Sequence, residues 1–190
     1  MMDVYQERYI EHQKRKRQSL AGNTGTTDFH IYSEEVKEWF ELIAINRRSQ
    51  RTFSSVDIDI TPILKMMETA PSSCNRHAVY VKTITGRDDK DLLSGLLVGG
   101  VGWVCHAHTI LLLFADLTAY KGSAEGPLIY LDAGVMVQMA YLAAEVNNLG
   151  CCYVNPNIRE YNQEFFKQRF GADFFCGALA FGKYDCKATL

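Results

Sequence analysis

The sequence has no strong charge of either sign. Its 190 residues carry a formal net charge of −2 and a pI of about 6.2, so no overall field draws it to nucleic acid or acidic lipid. It lacks the charged-then-apolar opening of a secretory signal. Its six cysteines, Cys74, Cys105, Cys151, Cys152, Cys176 and Cys186, include no C-x-x-C pair. Neighbours such as Cys151 and Cys152 rarely pair with each other. Reduced thiols in a cytoplasmic setting are therefore expected, most of them small core residues. Gly99-Gly100-Val101-Gly102 is not followed by the Lys-Ser/Thr of a P-loop, and no G-x-G-x-x-G is present. No G-x-S-x-G elbow offers a hydrolase serine. Cys105, His106 and His108 are too few for structural zinc, which takes four ligands, and no metal is expected.

What is present suits one globular domain with a real core, since 47% of the residues are hydrophobic and 22% charged. Residues 1–27 read as a charged arm and linker. The arm carries the basic run Lys14-Arg15-Lys16-Arg17, which suits a solvated helix face or frayed arm better than a nucleic-acid contact. The linker is the Gly/Thr-rich stretch at 21–27. Residues 28–190 then form the domain.

Ser33 suits an N-cap, with Glu34 and Glu35 in the first turn and Val36, Trp39, Phe40 and Ile43 at helical spacing. Thr61 and Pro62 read as a cap and first-turn pair, and Pro71 as a stop. Ala78 to Thr85 reads as a strand. A turn at Gly86 to Asp89 leads to a short leucine-bearing helix. The apolar run Thr109 to Ala115 suits a strand buried on both faces. Residues 117–127 read as a loop.

The longest apolar stretch, Leu128 to Leu149, holds Asp132, Gln138 and Glu145. A central Asp in a membrane span costs about 2.5–3.5 kcal/mol, so a helix buried in a soluble protein or at an interface is expected, with Gly150 as its C-terminal cap. Cys151 to Val154 is a short strand, Ile158 to Phe170 a helix with Tyr161, Phe165 and Phe166 near one face, and Phe174 to Phe181 a last strand. The mixture predicts an α+β (mixed α/β) fold: a small central, mainly antiparallel sheet flanked by helices, with one long buried helix.

Chemistry concentrates in Asn46 to Phe53. Arg47, Arg48 and Arg51 flank Ser49, and guanidinium forks suit phosphate oxygens. The competing reading is a solvated basic turn at a helix end. Downstream, Cys74 with His77 has the residue types of a nucleophile and base, but a spacer cysteine fits the local sequence better.

Taken together, Arg47-Arg48-Ser49-Gln50-Arg51-Thr52-Phe53 and Ala70-Pro71-Ser72-Ser73-Cys74-Asn75, with the long helix and the strand after it, resemble the nitroreductase family of flavin enzymes. The resemblance runs in order over residues 34–183. It implies an FMN-dependent homodimer with the flavin at the interface and the long helix helping to build that interface. NADH or NADPH would reduce the flavin, and a small oxidised acceptor such as a nitro compound or quinone would reoxidise it in a ping-pong hydride transfer. No membrane or nucleic-acid partner is expected.

It also implies roles by position. Arg47, Ser49 and Arg51 would bind the FMN phosphate and ribityl oxygens, and Arg48 would meet the flavin through backbone. Pro71, Ser72, Ser73 and Asn75 would reach the ring from the other subunit. Val154 and Asn155 would present a backbone N–H to it, and Lys183 would close the phosphate site, with Lys187 the other candidate. No catalytic acid or base is required, because the flavin carries the chemistry.

The chain departs from the family pattern in three places. Arg76 and His77 follow Asn75 and would make the region more cationic. Gly99 and Gly102 stand where some relatives carry Asn and Lys. The tail after the last strand is short. The two glycines and the short tail favour the alternative, a non-catalytic protein binding a flavin or phosphate ligand on the same fold.

Overall fold

The computed structural model describes residues 32–121 and 125–184, together with Ile10, Glu11 and Lys14. The boundary at 27/28, the rest of the basic run, the 21–27 linker, Cys186 and Lys187 lie outside the described residues.

Helix α1 (Glu34–Asn46) begins as the sequence predicts. The Ser33 hydroxyl caps it, accepting the Val36 N–H at 3.4 Å, a contact worth about 0.5–2 kcal/mol. Strand β1 (Phe53–Ser54) follows. In helix α2 (Thr61–Glu68), Thr61 is already helical and Ile60 is the cap residue, because the Asp59 carboxylate accepts the Thr61 N–H at 2.9 Å. After strand β2 (Val79–Ile84) comes helix α3 (Arg87–Leu96), whose first turn occupies the expected turn at 86–89 and carries Asp88 and Asp89.

All residues of strand β3 (Thr109–Ala115) are buried, as its continuous apolar run predicts. Helix α4 (Gly126–Val146) takes in Gly126 and Pro127, which are its first turn rather than loop, since proline lacks only an N–H that a first turn leaves unpaired anyway. Strand β4 (Gly150–Val154), helix α5 (Gln163–Phe170) and strand β5 (Phe174–Tyr184) complete the chain. The predicted helix at 158–170 is thus shorter. Ile158 instead bridges to Leu97, and Tyr161 and Phe165 are exposed while Phe166 is buried.

The fold is α+β. Its five-stranded sheet is antiparallel at every named pairing, with the order β2-β3-β5-β4. The pair Phe53↔Tyr184 and Ser54↔Lys183 adds β1 at the end of β5. One face of the sheet packs on α2 and α4 through Leu111, Leu113, Leu179 and Phe181; the other packs on α3 and α5 through Ile110, Leu112, Ala178 and Ala180.

Two glycines of the sheet are explained by close approach. A Cβ on Gly182 would lie 2.8 Å from the Phe53 Cβ, and one on Gly150 would lie 2.9 Å from Gln50. Their mutual pairing lets the Phe53 ring lie over both strands.

Helix α4 corrects two expectations. It is not buried all round: Ile129, Asp132, Ala133, Ala140, Tyr141, Ala143 and Ala144 are buried, while Leu131, Gln138 and Val146 on the far side are exposed. By length and composition α4 is apolar enough to cross a membrane, but its buried face is occupied by α2 and the sheet. Gly150 is not its cap. The chain reverses at Asn148, with φ of 53°, where the Asn148 N–H donates to Glu145 O at 3.0 Å and the Leu149 N–H to Ala144 O at 2.9 Å. This is a Schellman ending with asparagine in the left-handed position that glycine usually takes.

Candidate functional site

The arginine stretch is set by the end of α1 and the start of β4. Arg47 is the C-cap residue, its N–H donating to Ile43 O at 3.1 Å, and the chain then turns extended. Ser49 bridges to Cys151, and the Gln50 N–H donates to Cys151 O at 2.9 Å. The three guanidiniums find three different partners. Arg47 lies over the Tyr141 ring at 5.1 Å and Arg51 over the Trp103 ring at 5.9 Å. Arg48 folds back to donate to the carbonyls of Ile45 and Arg47 at the end of α1.

Neither Arg47 nor Arg51 has a carboxylate partner among the described residues. Between them the Ser49 hydroxyl meets the Tyr141 hydroxyl at 3.1 Å, which also accepts the Tyr153 N–H at 2.7 Å. Burial raises the pKa of the Tyr141 phenol. It also raises those of the Cys151 and Cys152 thiols, against the pull of Arg47 and Arg51 respectively.

Val154 and Asn155 stand at the end of β4, beside the Trp103 loop. A Cβ on Gly99 would touch Val154 at 3.4 Å and the Asn155 side chain at 3.6 Å, and the Trp103 indole N–H donates to Gly99 O at 3.0 Å. Gly102 has φ of 79° and open space around it, so it serves a turn that a side chain would strain. Lys183 Nζ donates to Asn148 O at 3.0 Å, at the C-terminal end of α4, where a cation also meets the helix dipole.

The second motif is held separately. Pro71 is exposed, and Ser72 and Ser73 are half-buried. Ser73 donates both its N–H and its hydroxyl to Asp132 Oδ1, at 2.8 and 2.7 Å. The Tyr120 hydroxyl donates to Asp132 Oδ2 at 2.9 Å, and burial raises its pKa. The loop is strained: Cys74, Asn75 and His77 have φ of 55°, 54° and 48°, a conformation that costs non-glycine residues on the order of 1 kcal/mol or more each.

The His77 N–H donates to the Ser72 hydroxyl at 2.9 Å, and the His77 ring Nε2 bonds the Asn75 side-chain Oδ1 at 2.8 Å. That ring contact ties His77 to Asn75 rather than to Cys74. Arg76 corrects an expectation outright. It is 2% exposed, lies over the Tyr120 ring and forms a two-pronged pair with Glu125 at 2.9 and 3.2 Å. It anchors the loop and adds no free positive charge to the site.

The two motifs do not meet within one chain. Ser73 docks on Asp132 and Ser49 on Tyr141, nine positions later on α4 (141 − 132). At 1.5 Å and 100° per residue that is about 13.5 Å along the axis and about half a turn around it. Asp132 and Tyr141 thus stand on opposite rims of the buried face.

Sequence reading missed Asp132, Tyr120, Glu125, Tyr141 and Trp103. Asp132 alone left a signal, a carboxylate inside an apolar helix, which needs donors to be tolerable when buried. No three His, Cys, Asp or Glu side chains gather as a metal set among the described residues.

Comparison with known proteins adds a partial family-model match and a fold. Residues 96–183 match the model of the nitroreductase family. No curated protein matches in sequence. Among solved structures, NfrA2 from B. megaterium superposes with a TM-score of 0.66 at 22% identity, covering 77% of this chain and 66% of NfrA2. This chain therefore spans just under two thirds of that relative. A protein from Desulfovibrio desulfuricans described in complex with FMN gives 0.65 at 22% identity, covering 77% and 86%. The FMN-dependent nitroreductase from Clostridium difficile R20291 gives 0.64 at 19% identity, covering 75% and 86%. Sequence over its second half and fold over about three quarters of its length agree: this chain is nitroreductase-like.

Proposed function

We propose that the chain is the protomer of a homodimeric, FMN-dependent oxidoreductase of the cytoplasm. It passes electrons from NADH or NADPH to a small oxidised acceptor, such as a nitro compound or quinone, in a ping-pong cycle. One observation carries the reading. Arg47 and Arg51 are held against aromatic rings on either side of the Ser49 hydroxyl, with no carboxylate partner among the described residues. Two preset guanidiniums and a hydroxyl are a donor set that fits a phosphate monoester.

FMN, when bound, would supply the two-electron chemistry. The protein's residues would hold and orient it. Arg47, Ser49 and Arg51 would grip the phosphate end. Arg48 would contribute backbone only, since its side chain is engaged on α1. Val154 and Asn155 would line the ring edge, with Gly99 leaving room beside them. Lys183 would add its charge only by leaving Asn148.

Pro71, Ser72, Ser73 and Asn75 would come from the second copy, because α4 keeps the two motifs of one chain apart. A second copy would also cover Val36, Trp39, Phe40, Leu42 and Ile45, all exposed on α1, and the open side of α4. A groove of about 520 Å³ lined by Tyr32, Val36, Lys37, Phe40 and Glu41 opens on the same helix. Exposed apolar residues gathered on one helix favour such a cover.

The second reading, a non-catalytic flavin- or phosphate-ligand-binding protein, is favoured by the open surroundings of Gly102 and by the engagement of Lys183 with Asn148. Anaerobic titration of the FMN-loaded protein with NADH and then NADPH separates the two. Bleaching of the yellow flavin band supports the oxidoreductase. A stable yellow protein that neither nicotinamide bleaches supports the binding protein. A colourless protein that takes up no added FMN overturns the oxidoreductase and leaves, of the second reading, only a phosphate ligand other than FMN.

A further inference from the structure

We infer that Asp132 is a positioning residue that presets the Ser72–Asn75 loop for the flavin ring; this rests on the flavin reading above. Three donors converge on its two oxygens: the Ser73 N–H, the Ser73 hydroxyl and the Tyr120 hydroxyl. With every contact a donor, the carboxyl serves as an acceptor only. Asp132 is 5% exposed.

A buried carboxyl costs free energy to take out of water, so it is a poor means of holding a fold together. What it does provide here is geometry. The loop it grips contains Cys74, Asn75 and His77 in left-handed backbone, and strained conformations persist only where the surroundings over-determine them. Ser73 on Asp132 fixes one side of that strained segment. Arg76, in its pair with Glu125 and over Tyr120, fixes the other. Tyr120 joins the two anchors, touching Asp132 with its hydroxyl and Arg76 with its ring. The loop therefore reaches the partner's flavin already shaped, and the first turns of α4 do the shaping.

The test uses the full chain with Asp132→Leu, Asp132→Asn and Tyr120→Phe. Amide hydrogen exchange of residues 72–77 is read without FMN. FMN affinity, the flavin midpoint potential and kcat with NADH are read with it. In Asp132→Leu, exchange at 73–77 should rise about tenfold, the equivalent of one well-made hydrogen bond, while β3 stays protected. The midpoint potential should move and kcat fall, with FMN affinity changed little because the arginine half is untouched. Asp132→Asn keeps an acceptor for Ser73 and can turn its amide to the Tyr120 oxygen, so it should recover most of the native behaviour.

Unchanged loop exchange in Asp132→Leu overturns the anchoring. A loosened loop with unchanged potential and kcat overturns the positioning role and leaves Asp132 merely structural. If Asp132→Leu does not fold, Tyr120→Phe carries the test, with a smaller rise in loop exchange expected and no rise overturning the inference. If the native chain takes up no FMN, the flavin reading fails, and the exchange result separately decides whether Asp132 holds the loop.

Discussion

Arg47 and Arg51 lie against rings, while Arg48 lies against the carbonyls that end α1. The three arginines should therefore behave differently. Arg51→Ala should weaken FMN binding by about 1.5–3 kcal/mol, the worth of a charge-assisted contact. Arg48→Ala should stay within about 0.5 kcal/mol, as for a surface change. Fluorescence titration of the apoprotein with FMN measures both, and equal losses would sink the assignment.

Glu125 gives a prediction that needs no ligand. Arg76, and then the Lys121 N–H, hold its carboxyl below the ordinary 4.5. A carboxyl lowered on folding contributes stability above its unfolded pKa and loses it as pH falls through the folded one. Below about pH 5, Tm should fall more steeply in the native chain than in Glu125→Gln. Parallel Tm curves would show that the pair contributes nothing to acid stability.

Among the elements, the junction of β3, β4 and β5 is tightly packed. The β3–β5 register shifts between Leu113 and Phe114, opposite Gly177, which has φ of 121°. A Cβ there would lie 2.5 Å from the Tyr153 hydroxyl, which itself donates to Cys176 O at 2.6 Å. Gly177→Ala should cost about 1–3 kcal/mol, seen as a fall in Tm of about 2–4 °C per kcal/mol for a chain of this size. A native Tm would mean that Tyr153 moves aside freely.

Elements of this kind were legible in sequence where the pattern is local. The Ser33 cap and the apolar run of β3 are complete within a few residues. Glycine and proline were harder to read, because one residue type serves several geometries. Gly86 begins a helix, Gly126 lies in a first turn, and Gly150 makes room for Gln50 and Phe53. At the site, the arginines could be read as a cluster. The contact between Ser73 and Asp132 spans 59 positions, and that between Ser49 and Tyr141 spans 92. Both depend on where α4 lies, which no short stretch encodes. For the same reason Arg76 looked like free charge, although its partner is 49 positions away.

At the scale of the molecule, α4 keeps the two motifs apart while holding each of them in place. Asp132 and Tyr141 face away from each other across its buried side. In a twofold assembly every flavin would then draw on both copies of the helix, and every copy would serve both flavins. Damage would follow the chain and not the pocket. A chain with Arg51→Ala mixed with one carrying Asp132→Leu would place both lesions in one pocket and leave the other whole. Unfolding and refolding the two variants together should therefore restore nearly native turnover in about half the pockets of each mixed dimer, although each variant alone is impaired. If the mixture is no better than the average of its parents, each pocket is built from a single chain.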